Sequence, residues 1–251
     1  MTADPQLVWT LCPGGAGVPL FLVPSVGTTP LSLVRLARAL SPPRPVHAFA
    51  FAGMDDDAAP HATIEAMAAA CIDELLALVP RGPWALGGHC FGGVVALEMT
   101  RQLESQGRDV ARLVLIETIP PPLAEGDAAP SGSAAATAAL EAHARGVLEA
   151  LVARTAQHAP LLEAGVAQRV RTLIERHVGA AVAYRAHPVR TGADLFRTAQ
   201  CSDAVRAGWL PLAAGGLVDH AIAGDTFSLL QPPHVGDVGR SIGNALRAAD
   251  R

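Results

Sequence analysis

The pentapeptide Gly88-His89-Cys90-Phe91-Gly92 carries the first chemical signal in this sequence. It lies between an apolar run, Trp84–Gly88, and a helical pattern that runs from Phe91 to about Gln106 and stops at Gly107. A Gly-x-nucleophile-x-Gly pentapeptide between a strand and a helix is a sharp turn that lifts the central side chain clear of the sheet edge. Glycines on either side let the backbone fold that tightly. The turn also sets the Cys90 thiol at a helix N-terminus, where unpaired N–H groups favour negative charge, so a lowered thiol pKa is expected. The bland alternative is a buried cysteine in a glycine-rich packing turn.

Two further features fall at the same sheet edge. The strand Leu113–Ile116 ends on Glu117, and neighbouring parallel strands bring their C-terminal ends together. The loop Pro24-Ser25-Val26-Gly27 follows the run Leu20–Val23. A backbone N–H from this loop, near Val26, together with that of Phe91 would form an oxyanion hole. A nucleophile, an acid and paired N–H donors are the parts of covalent acyl transfer.

The elements that must position these groups are legible as alternation. Leu7–Cys12, Leu20–Val23, Val46–Phe51, Trp84–Gly88, Leu113–Ile116, Ala193–Phe196 and Leu217–Ile222 read as strands, and Leu31–Leu40 and Val235–Ala249 as helices. Ile64, Met67, Ala68, Cys71, Ile72, Leu75, Leu76 and Val79 follow a 3.6 period and make one apolar stripe, with Cys71 inside it as core packing. From about residue 123 to 185 the texture changes to a Gly-, Ala-, Pro- and Ser-rich loop and then to helix without strand signal, which reads as an inserted helical lid. The expectation is one α/β domain over residues 1–251, with a mostly parallel central sheet and helices on both faces.

Composition narrows the function. The 251 residues are 50% hydrophobic and 17% charged, enough for a large core. The net charge of -4, with all 19 basic residues arginine, argues against a nucleic-acid surface. No apolar run reaches the ~20 residues that span a bilayer, and the N-terminal Met1-Thr2-Ala3-Asp4-Pro5 has no leader character. A cytoplasmic protein with four reduced cysteines, off the membrane, is expected. His89-Cys90 has no second ligand pair at metal-binding spacing, so no metal is expected. Arg185, Arg190 and Arg197 read as a solvated face, with an acidic partner surface or a phosphate as the alternative.

Together these segments resemble the releasing thioesterases of nonribosomal peptide synthetases and polyketide synthases, which have the α/β-hydrolase fold. The resemblance runs through Pro19–Val23, Gly87–Gly93, Ala96-Leu97-Glu98-Met99 with Gln102-Leu103, Leu113–Glu117, Gly208-Trp209, Gly224-Asp225, Phe227–Leu230 and Pro233-His234-Val235. It implies a nucleophile at position 90, an acid at 117 and oxyanion donors near Val26 and Phe91. It also implies a substrate delivered as a thioester on the phosphopantetheine arm of an acyl or peptidyl carrier protein, with no bound cofactor.

Three departures stand out. Cys90 stands where the family carries serine, Glu117 where it carries aspartate, and Thr226 where it carries the catalytic histidine. His234 and His220 are the candidates for a recruited base; the lid histidines His143, His158, His177 and His187 read as surface residues. A thiol is already partly ionised at neutral pH, so it tolerates loss of a base better than a hydroxyl does. Water needs a base to attack an acyl-enzyme, whereas an amine or a carbon acid needs less help. Release by intramolecular cyclisation is therefore expected. Hydrolytic editing, or a non-catalytic carrier-binding relative, are the alternatives.

Overall fold

Strands rich in Val, Leu and Phe that are buried on both faces are the mark of a parallel sheet covered by helices, and this chain has them. In the computed structural model, which describes residues 7–53, 59–124, 126–127, 145–146, 149, 153 and 164–250, seven strands form one sheet. They are β1 (Val8–Cys12), β2 (Leu20–Val23), β3 (Val46–Phe49), β4 (Trp84–His89), β5 (Val110–Ile116), β6 (Ala193–Thr198) and β7 (Leu217–Ile222), in the order β1-β3-β2-β4-β5-β6-β7. Only β1, at the edge, runs antiparallel, against β3; the remaining pairs are parallel. Every residue of β2 and β3 is buried.

Helices cover both faces. On one side α2 (Ile64–Leu78) and α3 (Phe91–Ser105) pack with Phe21, Trp84, Leu86, Leu113 and Leu195. Of the stripe expected of α2, Ile64, Met67, Ala68, Cys71, Ile72 and Leu75 are inside and Leu76 and Val79 partly buried, and Thr63 caps the helix through its bond from the Ala66 N–H. On the other side α1 (Val34–Ala39) and the C-terminal helix Val235–Leu246 enclose Leu20, Leu22, Val46, Val114 and Phe196.

The differences from the sequence reading have local causes. The helix expected over 31–40 begins as a 3-10 turn, Pro30–Leu33, before α1, with proline in its first turn. The third strand ends at Phe49, and the chain then turns at Gly53, which has φ +83°. Phe51, just before that turn, lies in the core beside Phe91.

Between β5 and β6 the chain makes its long excursion. Leu123 and Ala186 form a parallel bridge at its neck, and the Ala124 N–H bonds the Ala186 carbonyl. Helix α4 (Ala164–Ala183) occupies the returning arm. Most of residues 128–163, with His143 and His158, lies outside the described residues. After β6 comes a short helix, α5 (Asp203–Trp209), capped by Ser202; the C-terminal helix Val235–Leu246 is α6.

The return of the excursion is tied down by a buried carboxylate. Glu98 of α3 accepts bonds from the Arg101 guanidinium (2.7 Å twice), the Gln102 amide (2.9 Å) and the Tyr184 hydroxyl (2.7 Å) just beyond α4. Burial alone would raise the Glu98 carboxyl, but these donors outweigh it and hold it below the usual carboxylate range. Arg197, one of the arginines read as a solvated face, is instead paired with Asp219 and Asp203.

Candidate active site

Strand β4 ends at His89, and Cys90 turns the chain into α3 with φ +52° and ψ -117°. This is backbone that non-glycine residues rarely adopt. The glycines around it are dictated by close approach. A β-carbon on Gly88 would lie 2.1 Å from the Gly92 carbonyl carbon, and one on Gly92 would lie 2.1 Å from the Val23 carbonyl oxygen. The elbow is therefore wedged against the end of β2. The Cys90 N–H bonds the Ile116 carbonyl at 2.8 Å, which joins the elbow to β5.

Around the Cys90 sulfur stand the Ser25 hydroxyl and the Phe91 N–H, both favouring the thiolate, and the Glu117 carboxylate, which opposes it. Burial is the largest influence, and the thiol is pushed above its ordinary value. The lowered thiol expected from the helix terminus is thus corrected: desolvation of the sulfur outweighs the helix N–H groups. Val26, the expected oxyanion donor of the β2 loop, is buried and adjoins Ser25, whose carbonyl accepts the Thr28 N–H (3.2 Å) and hydroxyl (2.7 Å). Ser25 was part of the loop motif, but nothing in its spacing pointed to Cys90.

Glu117, just past β5, also has positive φ, at +48°, and is 5% exposed. Its Oε1 accepts the Thr198 N–H, and its Oε2 accepts the Thr226 hydroxyl at 2.8 Å. Thr226 thus occupies, with a neutral hydroxyl, the place beside the acid. His89 completes this group: the Thr226 carbonyl faces its ring, its Nε2 is buried without a partner among the described residues, and burial lowers its pKa to about 4.

The two base candidates make other contacts. His220 Nε2 bonds Asp194 Oδ1 at 2.7 Å, and its ring stacks on Phe196 with 4.4 Å between centroids; Asp194 is also paired with Arg112. His234 precedes α6 and packs against Gly224, where a β-carbon would lie 3.0 Å from its Cδ2. The side-chain hydrogen bonds that Glu117 receives among the described residues come from Thr198 and Thr226, not from His234. A cleft of about 530 Å³ opens beside Thr226, lined by Gln200, Asp225, Phe227, Ser228 and Gln231.

The lid histidines divide. His187 is exposed and pairs with Asp127, as a surface residue would. His177 is a correction: it is 1% exposed, and its ring lies on Phe91. Its place was legible in the helical spacing Val170, Leu173, Ile174, His177, Ala180, Tyr184, which is the inward stripe of α4. Among the described residues there is no cluster of three or more His, Cys, Asp or Glu that could hold a metal ion, and no helix long and apolar enough to cross a membrane.

A mostly parallel seven-stranded sheet, helices on both faces and a strained elbow after its fourth strand make this an α/β-hydrolase fold. Within that fold the chain belongs to the thioesterase domain family, whose model matches residues 18–246. It is similar to the nonribosomal peptide synthetase btyA of Aspergillus terreus, at 34% identity over 102 residues, 41% of this chain and 11% of that protein. It is also similar to the indigoidine synthase of Dickeya dadantii, at 38% over 106 residues, 42% of this chain and 7% of that protein. The chain thus spans a small part of the length of these curated relatives. Among solved structures, the NocB thioesterase domain from the nocardicin cluster, in covalent complex with a fluorophosphonate nocardicin G analog, matches with a TM-score of 0.73 and 27% identity, covering 97% of this chain and 99% of that one. The Vlm2 thioesterase domain, with a bound dodecadepsipeptide, shares the fold at a TM-score of 0.71 and 22% identity, covering 96% and 98%.

Proposed function

We propose that this chain releases acyl or peptidyl chains from a carrier-protein thioester through Cys90, and that release occurs by intramolecular cyclisation. The multidomain synthetases among its relatives supply the analogy for a carrier partner and a phosphopantetheine-borne substrate. The observation that carries the cyclisation reading is the Thr226–Glu117 hydrogen bond. The family acid is engaged by a hydroxyl, which cannot take a proton from water at neutral pH.

The steps balance without a base on Glu117. The Cys90 thiolate, its proton released to solvent, attacks the thioester carbonyl carbon. The N–H groups of Val26 and Phe91 receive the oxyanion. Collapse breaks the bond to the phosphopantetheine sulfur, which leaves as a thiolate and takes a proton from solvent. An amine or stabilised carbon nucleophile within the acyl chain then attacks the Cys90 thioester. It loses its proton and expels the Cys90 thiolate. No proton transfer is placed on His234. Helix α4, which packs on Gly27 and Phe91, serves as a lid that keeps water from the acyl-enzyme.

The test is intact mass spectrometry after exposure to an N-acetylcysteamine thioester carrying an internal amine. The expected result is an adduct on Cys90 followed by a cyclic product about 18 Da lighter than the free acid. Free acid as the main product overturns cyclisation. A second reading has one observation in its favour: burial that pushes the Cys90 thiol up suits a carrier-binding relative without chemistry. Absence of any Cys90 adduct supports that reading instead.

A further inference from the structure

Helix α4 covers the elbow with a particular set of side chains. A β-carbon on Gly27, in the oxyanion loop, would lie 3.0 Å from Ile174 Cδ1, so this helix sits directly on that loop. One turn further on, the His177 ring lies parallel to Phe91, with centroids 4.8 Å apart and planes at 6°. It also meets Phe51 edge-on at 4.3 Å. Phe91 is the residue that follows the nucleophile.

A stack on two phenylalanines would be served as well by a third phenylalanine. Histidine here carries a cost that phenylalanine would not, because its Nδ1 is buried with no hydrogen-bond partner among the described residues. A dry, unpaired polar atom on the residue stacked against Phe91 would be satisfied by a partner that arrives with the substrate. The partner's chemistry is narrowed by the ring's charge. Burial, and secondarily the nearby His61, lower His177 to about 4, so near neutral pH the imidazole is uncharged. A neutral imidazole pairs an amide N–H or carbonyl better than it pairs an anion. Phe91 directly follows Cys90, so an acyl chain on the sulfur begins one residue from this stack.

We propose that His177 is a substrate-binding residue whose ring nitrogen hydrogen-bonds an amide of the acyl chain close to the thioester carbonyl, so that the site selects peptidyl chains over saturated acyl chains. This rests on the reading that Cys90 is acylated by a thioester. His177→Phe keeps the stack and removes the nitrogen. The measurement is the rate of Cys90 adduct formation, by intact mass, with a dipeptidyl and a saturated acyl N-acetylcysteamine thioester of matched length.

The wild type should favour the dipeptidyl thioester by about tenfold, the worth of one neutral hydrogen bond left unmade. His177→Phe should lose that preference by slowing only the dipeptidyl reaction, whereas His177→Gln, which keeps a polar atom, should retain part of it. An equal ratio in wild type and His177→Phe, or an equal fall with both substrates, overturns the proposal. His177→Leu, checked for native circular dichroism, serves the same comparison if the phenylalanine variant does not fold. No adduct with either thioester in the wild type overturns the proposed function itself, and this inference with it.

Discussion

The hydroxyl of Thr226 donates to Oε2 of Glu117 at 2.8 Å, so the carboxylate of the site orients a group that is not a base. Restoring an imidazole at that point should restore hydrolysis. Thr226→His places the ring beside Glu117 in the loop that already presents its side chain to the acid. The share of free acid among the products of a cyclisable thioester should rise by about tenfold or more, within the usual reach of a general base. Product analysis by liquid chromatography and mass spectrometry reads this directly. An unchanged product ratio would show that Thr226 does not limit the attack of water.

Because the Cys90 sulfur is desolvated and faces the Glu117 charge, its reactivity should be shifted toward alkaline pH. The midpoint of iodoacetamide alkylation should lie above the ordinary thiol value of about 8.5. Thiolate fraction rises with pH, so acylation should still be climbing there. Glu117→Gln removes a negative charge that opposes the thiolate, and should move the midpoint down. In a site whose acid steadies a catalytic imidazolium, loss of the acid would slow the nucleophile. Here it should quicken alkylation at a fixed pH near 8.

The elements and the elbow turn were legible because they depend on local rules. Periodicity marked the stripe of α2, and the glycines at 88 and 92 marked an elbow that close backbone contacts then explain. Position 226 was legible as a departure, but its bond to Glu117 joins residues 109 apart in sequence and depends on how two loops meet. The direction of the Cys90 shift was misread because a helix terminus is visible in sequence and desolvation is not. His177 was misread because residue type was weighed above helical spacing. Helix α5 gave no apolar period long enough to notice in seven residues.

The Glu98 network predicts a stability effect remote from Cys90. Tyr184→Phe removes one donor from a buried carboxylate that keeps the Arg101 and Gln102 bonds. The loss should be about 1–2 kcal/mol, read as a lower midpoint in urea without change of slope. Because Tyr184 follows α4 directly, hydrogen exchange along α4 should rise more than in α2.

Acid should unfold this chain earlier than its carboxylates alone would require. His89 and His177 are each lowered by burial to about 4, against about 6.5 in an unfolded chain. Between those values the unfolded state binds protons that the folded state refuses, so stability falls as pH falls. Their contribution is intact above about pH 6.5 and is lost progressively toward pH 4, by roughly 3 kcal/mol for each histidine. Glu98, Asp194 and Asp225, held below the usual carboxylate range, add a loss of the same sign at lower pH. His177→Phe should therefore flatten the decline between pH 6.5 and 4, with His89 and His47, which burial also lowers, keeping the rest, while leaving the decline below pH 4 in place. Denaturant melts at half-unit steps of pH give the slope in each range. An unchanged slope between pH 6.5 and 4 would mean that His177 takes up its proton without leaving its stack on Phe91.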